Sequence, residues 1–156
     1  MRRLEQLDIL TVASNQVDKE YWMEELSGVS AERYLERDVK RVHRSVQNEL
    51  FYFHAFNRSL SKKILQLCNE SDYSLHTLLV SVVGILLHKY SGSEDVLVAT
   101  PIYKQHKSPD AKLINTLLAI RTSVSPEDSF KNVLTQARDK IKKAVRHQNY
   151  PYEILD

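Results

Sequence analysis

The chain has 156 residues, 42% of them hydrophobic, so its length fits one ordinary domain and its composition is sufficient to bury a core. Lysine and arginine total 22 against 20 aspartate and glutamate residues, which gives a formal net charge of +2. So small a net charge produces no long-range electrostatic field. The net charge therefore gives no reason to expect nucleic-acid binding.

The cysteine count and the apolar runs indicate the compartment. Cys68 is the only cysteine, which excludes an internal disulfide and a C-x-x-C metal site and favours a reducing cytosol. The N-terminal segment MRRLEQLDIL lacks the apolar core of a signal peptide, and the longest apolar run, LLVSVVGILL, is too short to span a bilayer. We therefore expect a cytoplasmic location and no membrane partner.

The first 45 residues differ in character from the rest. Residues 16–26, QVDKEYWMEEL, are predicted to form a short amphipathic helix that ends before Gly28. The apolar residues near one face of this helix are Val17, Tyr21, Trp22 and Leu26. The next stretch, SAERYLERDVKRVHRSVQNE, is too charged to bury much surface and is predicted to be an exposed connecting arm. The compact part is expected to begin at Leu50.

The compact part is predicted to begin with a strand and a helix. Residues 50–56, LFYFHAF, are aromatic at nearly every position, which predicts a strand covered on at least one face. Ser59 or Ser61 then provides an N-cap for a helix that extends to Asn69. The apolar residues of this helix form a stripe: Leu60, Ile64, Leu65, Leu67 and Cys68.

A second helix and two strands are predicted in the middle of the chain. The segment from about Leu75 to Tyr90, capped by Ser74, is apolar almost all round, which predicts a central helix buried on most sides. Residues 95–103, DVLVATPIY, and residues 113–124, LINTLLAIRTSV, are predicted to be strands because they are rich in β-branched and other apolar residues.

The last predicted element is a long helix. Ser125, Pro126 and Asp128 form a capping-box pattern at its start. Its apolar face is traced by Phe130, Val133, Leu134, Ala137, Ile141, Ala144 and Val145. The predicted order β-α-α-β-β-α indicates the α/β class, with a mixed sheet and packed helices.

Patterns for catalysis and metal binding are missing from the sequence. The six histidines have no HExxH spacing, and there is no G-x-S-x-G and no glycine-rich phosphate loop, so we expect the histidines to be structural or solvated.

The basic run from Arg138 to His147 has two interpretations. It is either a docking face for an acidic partner or a solvated helix end whose cations favour the helix dipole. No aromatic residues alternate with these charges, so nucleic acid is not an expected partner.

Two polar residues interrupt an otherwise apolar strand in LINTLLAIR. A buried amide needs hydrogen-bond partners, so Asn115 either faces a cleft or satisfies its side chain at a strand end. Thr116 follows it directly, and Arg121 closes the segment. On the residues alone, this strand is the candidate for a binding site.

Four separated segments together resemble the second half of the condensation domain of nonribosomal peptide synthetases. The last of them is similar to the family's His-Gln-Asp-Tyr-Pro-Phe-Glu motif, and the third to its asparagine-threonine strand motif that ends in arginine. In chain order the segments are KEYWMEELSG, SLHTLLVSVVGILLHKYSGSEDVLVATPI, LINTLLAIR and HQNYPYE. Their agreement in order and spacing makes the resemblance specific.

The resemblance implies one lobe of a two-lobed fold related to chloramphenicol acetyltransferase, with a substrate tunnel between the lobes. Residues 1–45 would contain the inter-lobe helix and the connecting arm, and residues 46–156 the C-terminal lobe, cut before its end. The family's His-His-x-x-x-Asp-Gly motif belongs to the first lobe, and no two adjacent histidines exist here. We therefore expect no catalysis from this chain alone.

For the parent enzyme, a nonribosomal peptide synthetase or a hybrid with a polyketide synthase, the resemblance implies amide formation between thioester substrates on carrier domains. The partners implied are the first lobe and acyl or peptidyl carrier domains. No cofactor would be bound directly, because each carrier brings its own phosphopantetheine arm. Two alternatives stay open: a non-catalytic carrier-docking module, and half of a coenzyme A-dependent acyltransferase.

The resemblance also assigns roles to residues. Asn115 is the first candidate for a tunnel residue, with Thr116 as the substitute if the register is shifted. The residues expected to hold the lobe together are Arg121, His147, Gln148, Tyr150, Pro151 and Glu153. Arg121 follows Asn115 by six positions where the family has five, so we predict a bulge between Thr116 and Ala119 that restores the family's strand faces.

Overall fold

The computed structural model describes residues 16–29, 52–101, 117–148 and 150. These residues form four helices and one antiparallel pair of strands. In chain order the elements are α1 (Gln16–Leu26), α2 (Arg58–Leu67), α3 (Asp72–Ser91), β1 (Asp95–Pro101), β2 (Leu117–Ser123) and α4 (Phe130–Arg146). The α/β class is confirmed, with helices packed against a sheet.

The two strands pair without interruption. Their register runs from Asp95 opposite Ser123 to Pro101 opposite Leu117. Because side chains alternate along a strand, the even-numbered residues of both strands share the face that meets α3 and α4. The bulge predicted between Thr116 and Ala119 is absent from the part of that segment inside β2, whose pairing is regular from Leu117 onward. Thr116 itself lies outside the described residues.

The core lies mainly between the even-numbered face of the sheet and the helices. Its larger cluster combines residues from α1, α3, β2, α4 and the segment after α4: Trp22, Val80, Leu118, Ala119, Ile120, Ile141, Ala144 and Tyr150. Along α4, Val133, Ala137, Ile141 and Ala144 are buried at the predicted helical spacing. Phe130, at the start of the predicted face, is 42% exposed. The period of the apolar residues thus determined which face of α4 packs inward.

Helices α2 and α3 begin earlier than predicted. The N-cap of α2 is Asn57, whose side chain accepts a hydrogen bond from the backbone N–H of Leu60, so neither Ser59 nor Ser61 caps it. The N-cap of α3 is Ser71, which accepts from the N–H of Ser74, the predicted cap. In both cases a polar residue with extended backbone angles takes the cap, and the serines that follow lie inside the helix.

Helix α4 begins later than predicted. Its N-cap is Ser129, which accepts from the N–H of Asn132. The predicted capping box does make its contact, since the N–H of Ser125 donates to the carboxylate of Asp128 at 2.9 Å. That contact closes a separate turn before the helix, so the prediction of a helix start at Ser125 was wrong.

Helix α3 is buried on one side only, so the prediction of burial on most sides was wrong. Thr77, Leu78, Val80, Ser81 and Gly84 are buried. The apolar residues of the opposite side are between 41% and 50% exposed: Leu79, Val82, Val83 and Leu86. Among the described residues, the sheet and α4 cover only the first side.

We expect neighbouring leucines of α3 to respond differently to the same substitution. Leu78→Ala should lower the free energy of unfolding by about 2 kcal/mol, because Leu78 is only 7% exposed. Leu79→Ala, at 49% exposure, should cost about 1 kcal/mol or less, since half of the side chain is already hydrated. Urea denaturation of both variants measures the difference, and equal losses would show that the two sides of α3 are equally covered.

The strand predicted at residues 50–56 is also wrong over its described part. Residues 52–57 have no regular secondary structure, and Tyr52 and Phe53 are 89% and 87% exposed. Aromatic residues favour a strand only where a neighbouring strand pairs with it. In the described part of the chain, the sheet consists of β1 and β2 alone, so the element order there is α-α-α-β-β-α.

None of the helices described has the length and apolarity to cross a membrane.

Candidate functional site

Arg121, from the strand motif, connects three elements. Its Nε and Nη2 donate to the two carboxylate oxygens of Asp95 on β1 at 2.7 and 2.9 Å. Its Nη1 donates to the backbone carbonyls of Glu25 and Ser27, at 3.0 and 2.6 Å. Hydrogen bonding to Asp95 raises the pKa of the guanidinium. A cation therefore lies at the C-terminal end of α1, where it stabilises the negative end of the helix dipole.

The partner of Arg121 was not predicted. The carboxylate that binds Arg121 is that of Asp95, 26 residues earlier in the chain. Antiparallel pairing brings β1 beside β2 and places Asp95 diagonally across from Arg121. The only sequence signal for this contact is the pair of opposite charges at the ends of two predicted strands.

His147, the C-cap of α4, contacts α1 in three ways. Its Nδ1 lies 2.5 Å from Oδ1 of Asp18. Its ring stacks on Tyr21 with centroids 4.2 Å apart, and its backbone carbonyl accepts a hydrogen bond from the Trp22 indole at 2.8 Å. Burial raises the pKa of the Tyr21 hydroxyl. The spacing of 18, 21 and 22 places all three contacts on one side of α1.

The other motif residues are placed as follows. Tyr150 is 2% exposed and belongs to the same core cluster as Trp22. Gln148, two residues before Tyr150, is partly buried. Asn115, Thr116, Pro151 and Glu153 lie outside the described residues. The structure thus gathers Arg121, His147 and Tyr150 around α1, where they join secondary-structure elements that are far apart in sequence.

A further ion pair in this region has no signal in the sequence patterns. Nζ of Lys140 lies 2.7 and 2.8 Å from the carboxylate oxygens of Glu25. The pair borders a polar cleft that Asp95, Arg121 and Gln136 also line. In the cleft, Lys140 and Arg121 are each paired with a carboxylate, so the arrangement fastens α1 to α4 and β2.

The described histidines outside the motif make ordinary structural contacts or are exposed. Nε2 of His76 lies 2.8 Å from the Thr100 hydroxyl, and Nδ1 of His88 lies 2.9 Å from the carbonyl of Ser93. His54 is exposed, while His43 and His106 lie outside the described residues. Within the described ranges, no three histidine, cysteine or acidic side chains are grouped as metal ligands.

His76 should make the folded state sensitive to acid. Burial lowers its pKa below the ordinary value of about 6.5. As the pH falls through that ordinary value, the unfolded chain binds a proton before the folded chain does, so stability is lost; above it, stability is fully present. We expect His76→Gln to lose less stability between about pH 7.5 and 5.5 than the unmodified chain in urea denaturation. Parallel losses in the two proteins would contradict this.

Four cations of the basic run on α4 form an exposed surface, whereas Lys140 and His147 of the same run contact α1. Arg138, Lys142, Lys143 and Arg146 lie on the solvent side of the helix, and Arg138 pairs with the neighbouring Asp139 at 3.0 Å. An ion pair that is half-exposed on both sides contributes little to stability. This surface is therefore separate from the buried contacts that fasten α1.

The sequence matches one family along nearly its whole length. The family model of the condensation domain matches residues 5–156. Tyrocidine synthase 3 of Brevibacillus parabrevis is 31% identical over 155 residues, which cover 96% of this chain. Surfactin synthase subunit 2 of Bacillus subtilis (strain 168) is 28% identical over 146 residues, or 90% of this chain. The chain spans only 2% and 4% of the length of these two relatives.

A solved structure shows the same fold. The starter condensation domain of rhizomide synthetase aligns with 97% of this chain at a TM-score of 0.57 and 19% identity. The aligned part is 33% of that solved chain. Since the family model matches nearly the whole sequence, the chain belongs to the condensation-domain family of nonribosomal peptide synthetases.

Proposed function

We propose that this chain is the C-terminal lobe of a condensation domain whose parent enzyme joins two carrier-bound building blocks by an amide bond. The observation that carries the proposal is the match of the condensation-domain family over residues 5–156, which takes in all four recognised segments in one alignment. The chain aligns with 33% of the solved condensation domain, and the proposal assigns it to one lobe of a two-lobed fold related to chloramphenicol acetyltransferase.

In the proposed reaction, the amine of the acceptor attacks the acyl carbon of the donor thioester. A C–N bond forms, the C–S bond breaks, and the thiol of the donor's phosphopantetheine arm leaves with a proton. Both arms belong to the acyl or peptidyl carrier domains and enter as parts of the substrates. We place this reaction in the cytoplasm, in a tunnel closed by the first lobe.

The odd-numbered face of the sheet offers a wall for such a tunnel. Leu97 and Leu117 lie on this face, away from α3, and are 39% and 42% exposed. An extended acyl or pantetheine chain needs apolar walls with a few polar groups along them. In the proposal, Asn115 is the polar group nearest to the reaction, with Thr116 as the substitute, and Arg121 keeps the wall in place from α1.

The test is a comparison of rate with stability in the full-length parent enzyme. Asn115→Ala should reduce amide formation between carrier-bound substrates about tenfold or more, a loss of at least about 1.4 kcal/mol of transition-state stabilisation. Its thermal unfolding should stay normal. Arg121→Ala should instead lower the thermal stability, because its partners are structural.

Two further measurements make the result decisive. If only Thr116→Ala slows amide formation, Thr116 and not Asn115 is the tunnel residue. Normal rates of amide formation for both Asn115→Ala and Thr116→Ala would refute the proposal that this strand lines the tunnel. The isolated chain should form no amide, because none of its histidines are adjacent as in the family's catalytic motif. Turnover by this chain that is lost on replacing one histidine would refute the lobe assignment.

A further inference from the structure

Helix α1 is attached to the rest of the fold by an unusual mixture of contacts. Trp22, at 0% exposure, is the one residue of this 11-residue helix that is buried. Tyr21 and Leu26 pack against the core but are only partly buried. Val17, predicted to share their face, is 66% exposed. The hydrophobic attachment of α1 therefore depends mainly on a single aromatic side chain.

In the described part of the chain, polar contacts also attach the helix at both of its ends. Near its start, Asp18 binds His147. Near its end, Glu25 binds Lys140, and the carbonyls of Glu25 and Ser27 accept from Arg121. These contacts join residues between 94 and 129 positions apart in sequence. The backbone pairing of β1 with β2 and the packing of α4 on β2 do not involve residues of α1.

His147 makes three of the contacts that hold α1. It meets Asp18 through its Nδ1, Tyr21 through its ring face and Trp22 through its backbone carbonyl. The side chains of His147 and Asp18 are 20% and 14% exposed, so little water is available to replace their contact. Asp18 lies one helical turn before the buried Trp22, so loss of this pair removes a contact close to the side chain that anchors the helix.

We propose that α1 is a detachable strap: it undocks from α4 and β2 as a unit while the remaining helices and the sheet stay folded, and the contact of Asp18 with His147 sets its docked population. Segments with few buried apolar contacts open locally at lower cost than the whole fold. A helix of 11 residues is marginal in water, so the strap should lose its helical structure when it undocks. The proposal holds whatever reaction the parent enzyme performs.

The test uses the only tryptophan of the chain as the reporter. In the full 156-residue chain, acrylamide quenching of Trp22 measures undocking, and far-UV circular dichroism measures the fold as a whole. Asp18→Asn and His147→Gln should each raise the quenching constant of Trp22 several-fold in the absence of urea. Their midpoints by circular dichroism should stay within error of the unmodified chain.

Asp139→Asn is the matched control, because it removes an exposed carboxylate from an ion pair on α4 without touching α1. It should change neither measurement. Two results would overturn the proposal. One is that the urea transitions of Trp22 fluorescence and circular dichroism coincide in both Asp18→Asn and His147→Gln. The other is that either substitution unfolds the whole chain.

Lys140→Gln, at the other end of the strap, should raise the quenching of Trp22 less than Asp18→Asn does. A larger effect would show that the contact of Asp18 with His147 does not set the docked population.

Discussion

Ile141→Ala is expected to lower the free energy of unfolding by about 3 to 4 kcal/mol, the largest loss that we predict. Ile141 is 1% exposed and lies in the larger core cluster, where residues of α1, β2 and α4 meet. Removal of its side chain beyond Cβ loses the transfer free energy of the deleted methyl and methylene groups and leaves a cavity. Because Leu118 and Ile120 are fixed by strand pairing, they cannot move far enough to fill that cavity.

Urea denaturation followed by circular dichroism measures this loss. Ile141→Val is the graded control and should cost about 1 kcal/mol. Lys142→Ala, at the next position of the same helix, is exposed and should change stability by less than about 0.5 kcal/mol. A loss for Ile141→Ala no greater than for Lys142→Ala would show that α4 does not pack on the sheet as described.

Arg121→Met is expected to be the second most damaging change, with a loss of about 2 to 3 kcal/mol. The methionine preserves the apolar part of the side chain but removes four hydrogen bonds, two to Asp95 and two to the backbone carbonyls of Glu25 and Ser27. The side chains of Arg121 and Asp95 are 24% and 33% exposed. Water can therefore replace part of what is lost, which keeps the effect below that of breaking a fully buried ion pair.

The matched control is Arg138→Met, which breaks a pair exposed at 48% and 54% and should cost less than about 1 kcal/mol. Arg121→Lys should recover only part of the loss, since an ammonium cannot make the two-pronged contact with Asp95. Equal losses for Arg121→Met and Arg138→Met in thermal unfolding would contradict a structural role for the strand-motif arginine.

Elements with strong local signals were predictable from the residues alone. Helical periodicity identified α1 and α4, and the apolar strand composition identified β1 and β2, each within a few residues of its observed bounds. The order of the motifs was sufficient to recognise the condensation-domain family, which the family match confirmed. Helix starts were less accurate, because several polar residues close together can cap a helix and only the backbone angles select one.

Contacts between residues that are far apart in sequence depend on the tertiary structure and could not be predicted from the sequence. The apolar sequence of α3 could not indicate that one of its sides is exposed among the described residues, because burial depends on which elements pack around the helix. The aromatic residues at 52–56 favour a strand but find no partner strand in the described part of the chain. Arg121 and His147 were recognised as motif residues, yet their partners Asp95 and Asp18 lie 26 and 129 positions away. Such contacts arise from strand pairing and helix docking, and no periodicity or spacing within a short window of sequence encodes them.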